Sequence, residues 1–219
     1  MAPCVDPRPC SPSARWHVGV YLDGVAVDGD VSGIFPRVLP LEMEIGCGKG
    51  RFIIHCAEKY PGRNFLAVER ARRYLNIARE RARRRALPNL RLVRADADEI
   101  VQARLASGSL QAVHVLFPDP WPKKRHRKRR LFHPSFVEGI ARVLADGGVL
   151  NVATDFTEYF ERIDSLVSSH RCFQRRAGFA LEGRLPAGES GHTNYEVKYR
   201  AAGRTIHQAT WERRPRHTR

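Results

Sequence analysis

From residue 40 onward the chain alternates short apolar runs with amphipathic stretches. Residues 41–46, 64–69, 90–95, 112–117 and 149–154 read as strands, apolar and bounded by turn residues. Between them, 49–60, 71–87, 98–106, 134–144 and 156–169 read as helices. Pro61, Pro88 and the Asp146-Gly147-Gly148 run supply stop signals. Such alternation predicts an α/β fold with a mostly parallel sheet covered by helices on both faces. The apolar segments at 177–181, 194–200 and 204–212 read as closing strands, with a hairpin around Gly203. Upstream, 1–15 is rich in Pro, Ser and Cys and is expected to be disordered. Residues 16–31 alternate around Asp23-Gly24 and Asp28-Gly29, as in a strand pair or an ordered arm. The organisation read from this pattern is an arm at 1–36, a main domain at 37–213 and a basic tail at 214–219.

The first strand ends in Glu44-Ile45-Gly46-Cys47-Gly48-Lys49-Gly50, and a helix follows. In open α/β sheets such a turn lies outside the carboxyl end of a strand, where ligands bind. Glycines at 46, 48 and 50 match neither the dinucleotide fingerprint nor the phosphate-cradling loop. Glu44 would also repel a pyrophosphate. The turn suits a nucleoside ligand without phosphate, such as S-adenosylmethionine, whose ammonium favours an acid and whose carboxylate takes backbone N–H groups. Gly46 and Gly48 are therefore cofactor candidates. A plain Gly-rich connection is the alternative on these residues alone.

Charge narrows the partner. Across 219 residues, 38 Lys and Arg stand against 23 acids, a net charge of +15. That excess points to a polyanion, and to nucleic acid over a membrane surface because no basic amphipathic anchor is visible. No apolar run approaches the roughly 20 residues of a membrane span, and the first ten residues do not read as a secretion signal. Five cysteines without a C-x-x-C pair argue against zinc or redox chemistry and fit a reducing cytoplasm.

Other candidates lie where strands end. Glu69, after the second strand, can hold ribose hydroxyls. Asp96, or Asp98 two residues on, can reach an adenine edge or cap a helix. Phe117-Pro118-Asp119-Pro120-Trp121-Pro122 is held extended by its prolines, fixing an acid and an indole beside the glycine turn. That pair suits a flat base, one accepting its hydrogen bonds and the other stacking on it. Seven of the eight residues 123–130 are Lys or Arg, a self-repelling run expected to be mobile until it meets phosphates. Eight Arg fall between 70 and 85, all round the predicted helix, as on a solvated face. His114 and His133 lack partners at metal-ligand spacing and read as structural.

Together these pieces, with Thr154-Asp155 and Thr193-Asn194-Tyr195-Glu196, resemble the bacterial tRNA (guanine-N7-)-methyltransferases from about residue 40 to 212. The proline loop running into Lys123-Lys124-Arg125-His126 is the most diagnostic part. The resemblance implies a Rossmann-like methyltransferase fold with seven strands, the last antiparallel. It implies methyl transfer from S-adenosylmethionine to guanine N7 at position 46 of the tRNA variable loop. The expected state is a monomer or homodimer in the cytoplasm, and the sequence does not choose between the two. It implies that Glu44, Glu69, Asp96 and Asp119 line the cofactor site, with Asp119 catalytic. By the same likeness Lys123, Asp155, Thr193, Asn194, Tyr195 and Glu196 face the substrate, and Arg125, Arg127, Lys128, Arg129 and Arg130 contact RNA. Residues 1–36 do not align with the family's usual amino-terminal region. The rival expectations are a methyltransferase with another target and an RNA-binding protein that has lost catalysis.

Overall fold

A computed structural model describes residues 21–22, 25–26, 30–181 and 193–216. Its strands are β1 (Tyr21–Leu22), β2 (Val25–Ala26), β3 (Leu41–Ile45), β4 (Asn64–Val68), β5 (Leu90–Arg94), β6 (Leu110–Leu116), β7 (Leu144–Thr154), β8 (Phe173–Arg175) and β9 (His207–Arg213). Its α-helices are α1 (Arg51–Lys59), α2 (Arg72–Arg83), α3 (Ala97–Ala103), α4 (Pro134–Val143), α5 (Thr157–Ser168) and α6 (Asn194–Ala201). The strands form one sheet in the order β2-β1-β5-β4-β3-β6-β7-β9-β8. From β5 to β7 all pairings are parallel, and β9 runs antiparallel between β7 and β8. The seven-stranded Rossmann-like core is therefore as expected, and the short β1–β2 pair extends its β5 edge. The disorder expected for 1–15 and the turns at Asp23-Gly24 and Asp28-Gly29 lie outside the described residues.

The period of two in the strands divides the core. Leu41, Met43 and Ile45 of β3, with Leu66 and Val68 of β4, pack with Ile100, Phe136, Ile140 and Ile163 from α3, α4 and α5. Phe65 and Ala67 point the other way, against Phe52, Ile53, Leu75 and Ala78 from α1 and α2. Cys47 and Cys56 fill gaps on that second side, as small apolar residues do. The same side holds a buried polar row. Glu42 bonds Arg63 at 2.7 Å and His114 at 3.0 Å, His114 meets Asn151 at 3.2 Å, and Thr210 donates to Asn151 at 2.7 Å. His114 is thus part of the core, whereas His133 caps α4, bonds Asp98 at 2.9 Å and lines the cavity described below.

The carboxyl-terminal part differs from the sequence expectation. Residues 194–200 form α6 instead of a strand, so Gly203 closes a helix rather than a hairpin. Thr193 caps that helix by accepting the Glu196 amide at 3.0 Å, and Glu196 pairs with Arg200 one turn on. Residues 177–181 form no strand; β8 lies earlier, at 173–175. Strand β7 begins at Leu144, five residues before the expected 149, with a register irregularity opposite Leu110 to Ala112.

Candidate active site

The order of strands reverses between β3 and β6, so the loops after these two strands diverge around a crevice. A cavity of about 1690 Å³ opens there. Its walls include Gly46, Gly48, Glu69, Asp96, Asp98, Asp119, Trp121, Asp155, Tyr195 and Arg204. The β3 turn is left-handed at three glycines, with φ of 75°, 55° and 76° at Gly46, Gly48 and Gly50. A side chain at Gly50 would meet Ile54 at 2.9 Å, which seats the turn on α1. At Gly46 and Gly48 a Cβ would meet nothing within 4 Å, so their backbone faces open cavity.

Glu69 ends β4 and ties the two loops together. Its Oε2 accepts the Gly48 amide at 3.0 Å and its Oε1 accepts the Ala71 amide at 2.7 Å. Glu44 lies behind the turn, 2% exposed, and does not form part of the cavity wall. Burial pushes its carboxyl up to about 8, against a hydrogen bond from the Ile53 amide and aided by the nearby charge of Glu69. Its Oε2 is buried with no hydrogen-bond partner among the described residues. An ammonium entering the turn would satisfy that oxygen, and the open face of Gly46 and Gly48 would receive a carboxylate. The residues present therefore fit S-adenosylmethionine. Asp96 does both things open to it: its Oδ1 caps α3 by accepting the Asp98 amide at 3.0 Å, and it also lines the cavity.

After β6 the chain turns sharply. Phe117 and Trp121 adopt left-handed φ of 58° and 41°, which bracket Asp119. Asp119 is exposed to the cavity. The indole of Trp121 carries the Arg129 guanidinium at 4.9 Å and the edge of His126 at 5.8 Å, so one stacking surface is already occupied. Tyr195, 47% exposed, also lines the cavity, and its phenol is pushed up by partial burial and then by Tyr74, Asp119, Tyr199 and Glu69.

The site departs from expectation at several of the residues carried over by resemblance. Of Thr193 to Glu196, only Tyr195 lines the cavity. Thr193 is spent on the cap, Asn194 meets Arg51 at 3.4 Å, and Glu196 is 1% exposed, turned inward to Arg200 and Gln208. Lys123 is exposed but outside the cavity wall. Asp155 lines the cavity with its carboxylate bonded to Arg204 at 2.6 Å. The basic run is not a solvated string: Lys124–Arg129 form a 3-10 helix. Arg125 and Lys128 face solvent, whereas Arg127 pairs with Glu158 at 2.8 Å. Arg130 also lines the cavity but is only 4% exposed, its Nε turned to the Pro120 carbonyl of the proline loop and its Nη2 buried with no hydrogen-bond partner among the described residues.

Residues not anticipated from sequence include Tyr74, Tyr199 and Arg204 in the cavity wall. Tyr74 carried a usable signal, since it sits in the first turn of the helix after Glu69. Tyr199 and Arg204 carry none, because the sequence pattern there imitates strands.

The methyltransferase family model Methyltransf_4 matches residues 39–209. The tRNA (guanine-N(7)-)-methyltransferase of Nitrosococcus oceani is 34% identical over 84% of this chain and 75% of its own length. That of Syntrophotalea carbinolica is 32% identical over 90% and 84%. That of Geobacter metallireducens is 42% identical over 63% of this chain, and the match spans 65% of its own length. Among solved structures, the 16S rRNA methyltransferase KamB superposes with a TM-score of 0.56 at 18% identity, over 80% of this chain and 88% of its own. The 16S rRNA (adenine(1408)-N(1))-methyltransferase from Catenulisporales acidiphilia, solved with cosubstrate SAM, gives 0.54 at 17% identity, over 91% and 98%. These two likenesses show the fold. By the family match, the relatives' identity and the site's motifs, the chain belongs to the bacterial tRNA (guanine-N7-)-methyltransferase family.

Proposed function

We propose that this protein methylates N7 of guanine 46 in the variable loop of tRNA, using S-adenosylmethionine. The observation that carries the reading is one cavity joining the open glycine turn, the acid of the proline loop and an exposed basic helix. When bound, S-adenosylmethionine supplies an electrophilic methyl group; the N7–C bond forms as the S–C bond breaks, leaving a thioether and a cationic base.

Guanine N7 offers an in-plane lone pair and no proton, so the chain needs no general base. Its residues must hold N7 in line with the methyl carbon and exclude water. Glu69 would take the ribose hydroxyls, Glu44 the ammonium, and Asp96 the adenine edge. Asp119 would face the base, where its negative charge stabilises the positive charge arriving there. Lys124, Arg125 and Lys128 would meet phosphates, without reading sequence. The amino-terminal arm, the 37–213 domain and the basic tail remain part of this proposal.

The test is to incubate the protein with bulk tRNA and methyl-labelled cofactor and map the modified nucleotide. Label as N7-methylguanine at position 46 supports the reading. Label at another base or position, or none at all, overturns it.

A further inference from the structure

The loop bearing Asp119 does not hold its own shape. Phe117 and Trp121 sit at φ of 58° and 41°, a region that is strained for non-glycine residues and persists only where the surroundings hold it. Three prolines fix their own φ but donate no hydrogen bonds. The surroundings must therefore determine the loop, and they do so from the basic run. Arg130 Nε donates to the Pro120 carbonyl at 2.8 Å, one residue beyond Asp119. Arg130 Nη1 donates to Glu158 Oε1 at 3.1 Å, and the guanidinium lies 4.8 Å over Tyr159. Both partners are in the first turn of α5, and the Tyr159 hydroxyl accepts the Phe132 amide at 3.2 Å.

Arg130 is unlike its neighbours in the run, because it is 4% exposed. Burying a guanidinium costs desolvation that phosphate binding would not require. We propose that Arg130 and Glu158 are positioning residues, a brace that fixes the Asp119 loop against α5. The proposal rests on the reading of Asp119 as the residue that stabilises charge on the base. Glu158 also accepts Arg127 at 2.8 Å on its other oxygen, so one carboxylate holds both the exposed basic helix and the loop support. Its carboxyl is kept below the usual range, first by the hydrogen bond from Arg130, and stays ionised at neutral pH. This explains why the proline loop runs directly into the basic block: part of the block is the loop's mould.

Arg130→Lys keeps the charge but cannot serve Pro120 and Glu158 with a planar fork. Glu158→Gln keeps the shape, and it guards against misfolding of the buried variant. The measurements are single-turnover methylation at saturating tRNA and S-adenosylmethionine, dissociation constants for both, and amide hydrogen exchange of 117–131. Both variants are expected to lose about tenfold or more in rate, on the scale of a small misplacement at a reacting centre. Their dissociation constants should stay within about threefold, while exchange at 117–122 rises. In an Asp119→Asn background, Arg130→Lys should add little further loss, since it acts through Asp119. Full rate with unchanged exchange overturns the brace. So does a loss confined to tRNA affinity, which would make Arg130 an ordinary phosphate contact. Asp119→Asn at wild-type rate would instead overturn the catalytic reading of Asp119, while the exchange result still decides the brace.

Discussion

Glu69 is bound to Gly48 across 21 residues of sequence, its Oε2 accepting the glycine amide at 3.0 Å. The other oxygen holds the Ala71 amide, at the start of α2. One carboxylate thus sets the distance between the glycine turn and the start of α2. Glu69→Ala removes both hydrogen bonds and the acceptors proposed for the ribose. Binding of S-adenosylmethionine is expected to weaken by about 1–3 kcal/mol, the scale of charge-assisted hydrogen bonds. Titration calorimetry checks it, and wild-type affinity would take Glu69 out of the cofactor site.

Glu44 makes stability pH-dependent. Its carboxyl is raised by burial from 4.5 to about 8. Between those values the folded chain keeps a proton that the unfolded chain releases. Stability is therefore expected to fall as pH rises through that window, by at most about 1.4 kcal/mol per unit, and to level off above it. Glu44→Gln should remove this contribution and be the more stable protein at the alkaline end. Urea unfolding across the window reads the slope, and equal slopes for the two proteins would refute the assignment.

Asp119→Asn preserves the shape of the side chain and removes its charge. The rate is expected to drop about a hundredfold or more, as when one aimed electrostatic group is lost. The tRNA dissociation constant should change little, because backbone phosphates supply most of such affinity. A near wild-type single-turnover rate would leave positioning alone to explain the reaction.

The basic helix separates by partner. Lys124, Arg125 and Lys128 are exposed, whereas Arg127 is paired to Glu158 and Arg129 lies on Trp121. Replacing the first three with Gln is expected to lower the log–log salt slope of tRNA binding by roughly 2 to 3, at about 0.7 to 0.9 per phosphate contact. Cofactor affinity should be unaffected. An unchanged slope in a filter-binding series would show that this face does not meet RNA.

The strands and helices from β3 to α5 were legible because both periods were clean and Gly or Pro marked most ends. Residues 194–200 were misread for a definite reason. Tyr195, Val197 and Tyr199 recur at every second position, which imitates a strand. Thr193 and Glu196, three apart, were the opposing signal, and the capping bond between them prevails. The glycine turn and the proline loop could be placed from sequence, since each follows a recognisable strand. The fate of the basic run could not. Arg127 and Arg130 turn to Glu158, about thirty residues away, and local charge says nothing of so distant a carboxylate.

Beneath the site, His114, Asn151 and Thr210 stand directly opposite one another on β6, β7 and β9, and Glu42 joins them from β3. Beside this row the paired stretches of β6 and β7, 112–116 and 149–153, are apolar, so apolar contacts alone do little to mark one register between them. A slip of one residue would turn a member of this row to the opposite face and strand a buried polar group. The row therefore works as a combination lock on strand alignment: only one alignment closes it. The same alignment brings the ends of β3 and β6 level, and so decides where the glycine turn and Asp119 face each other.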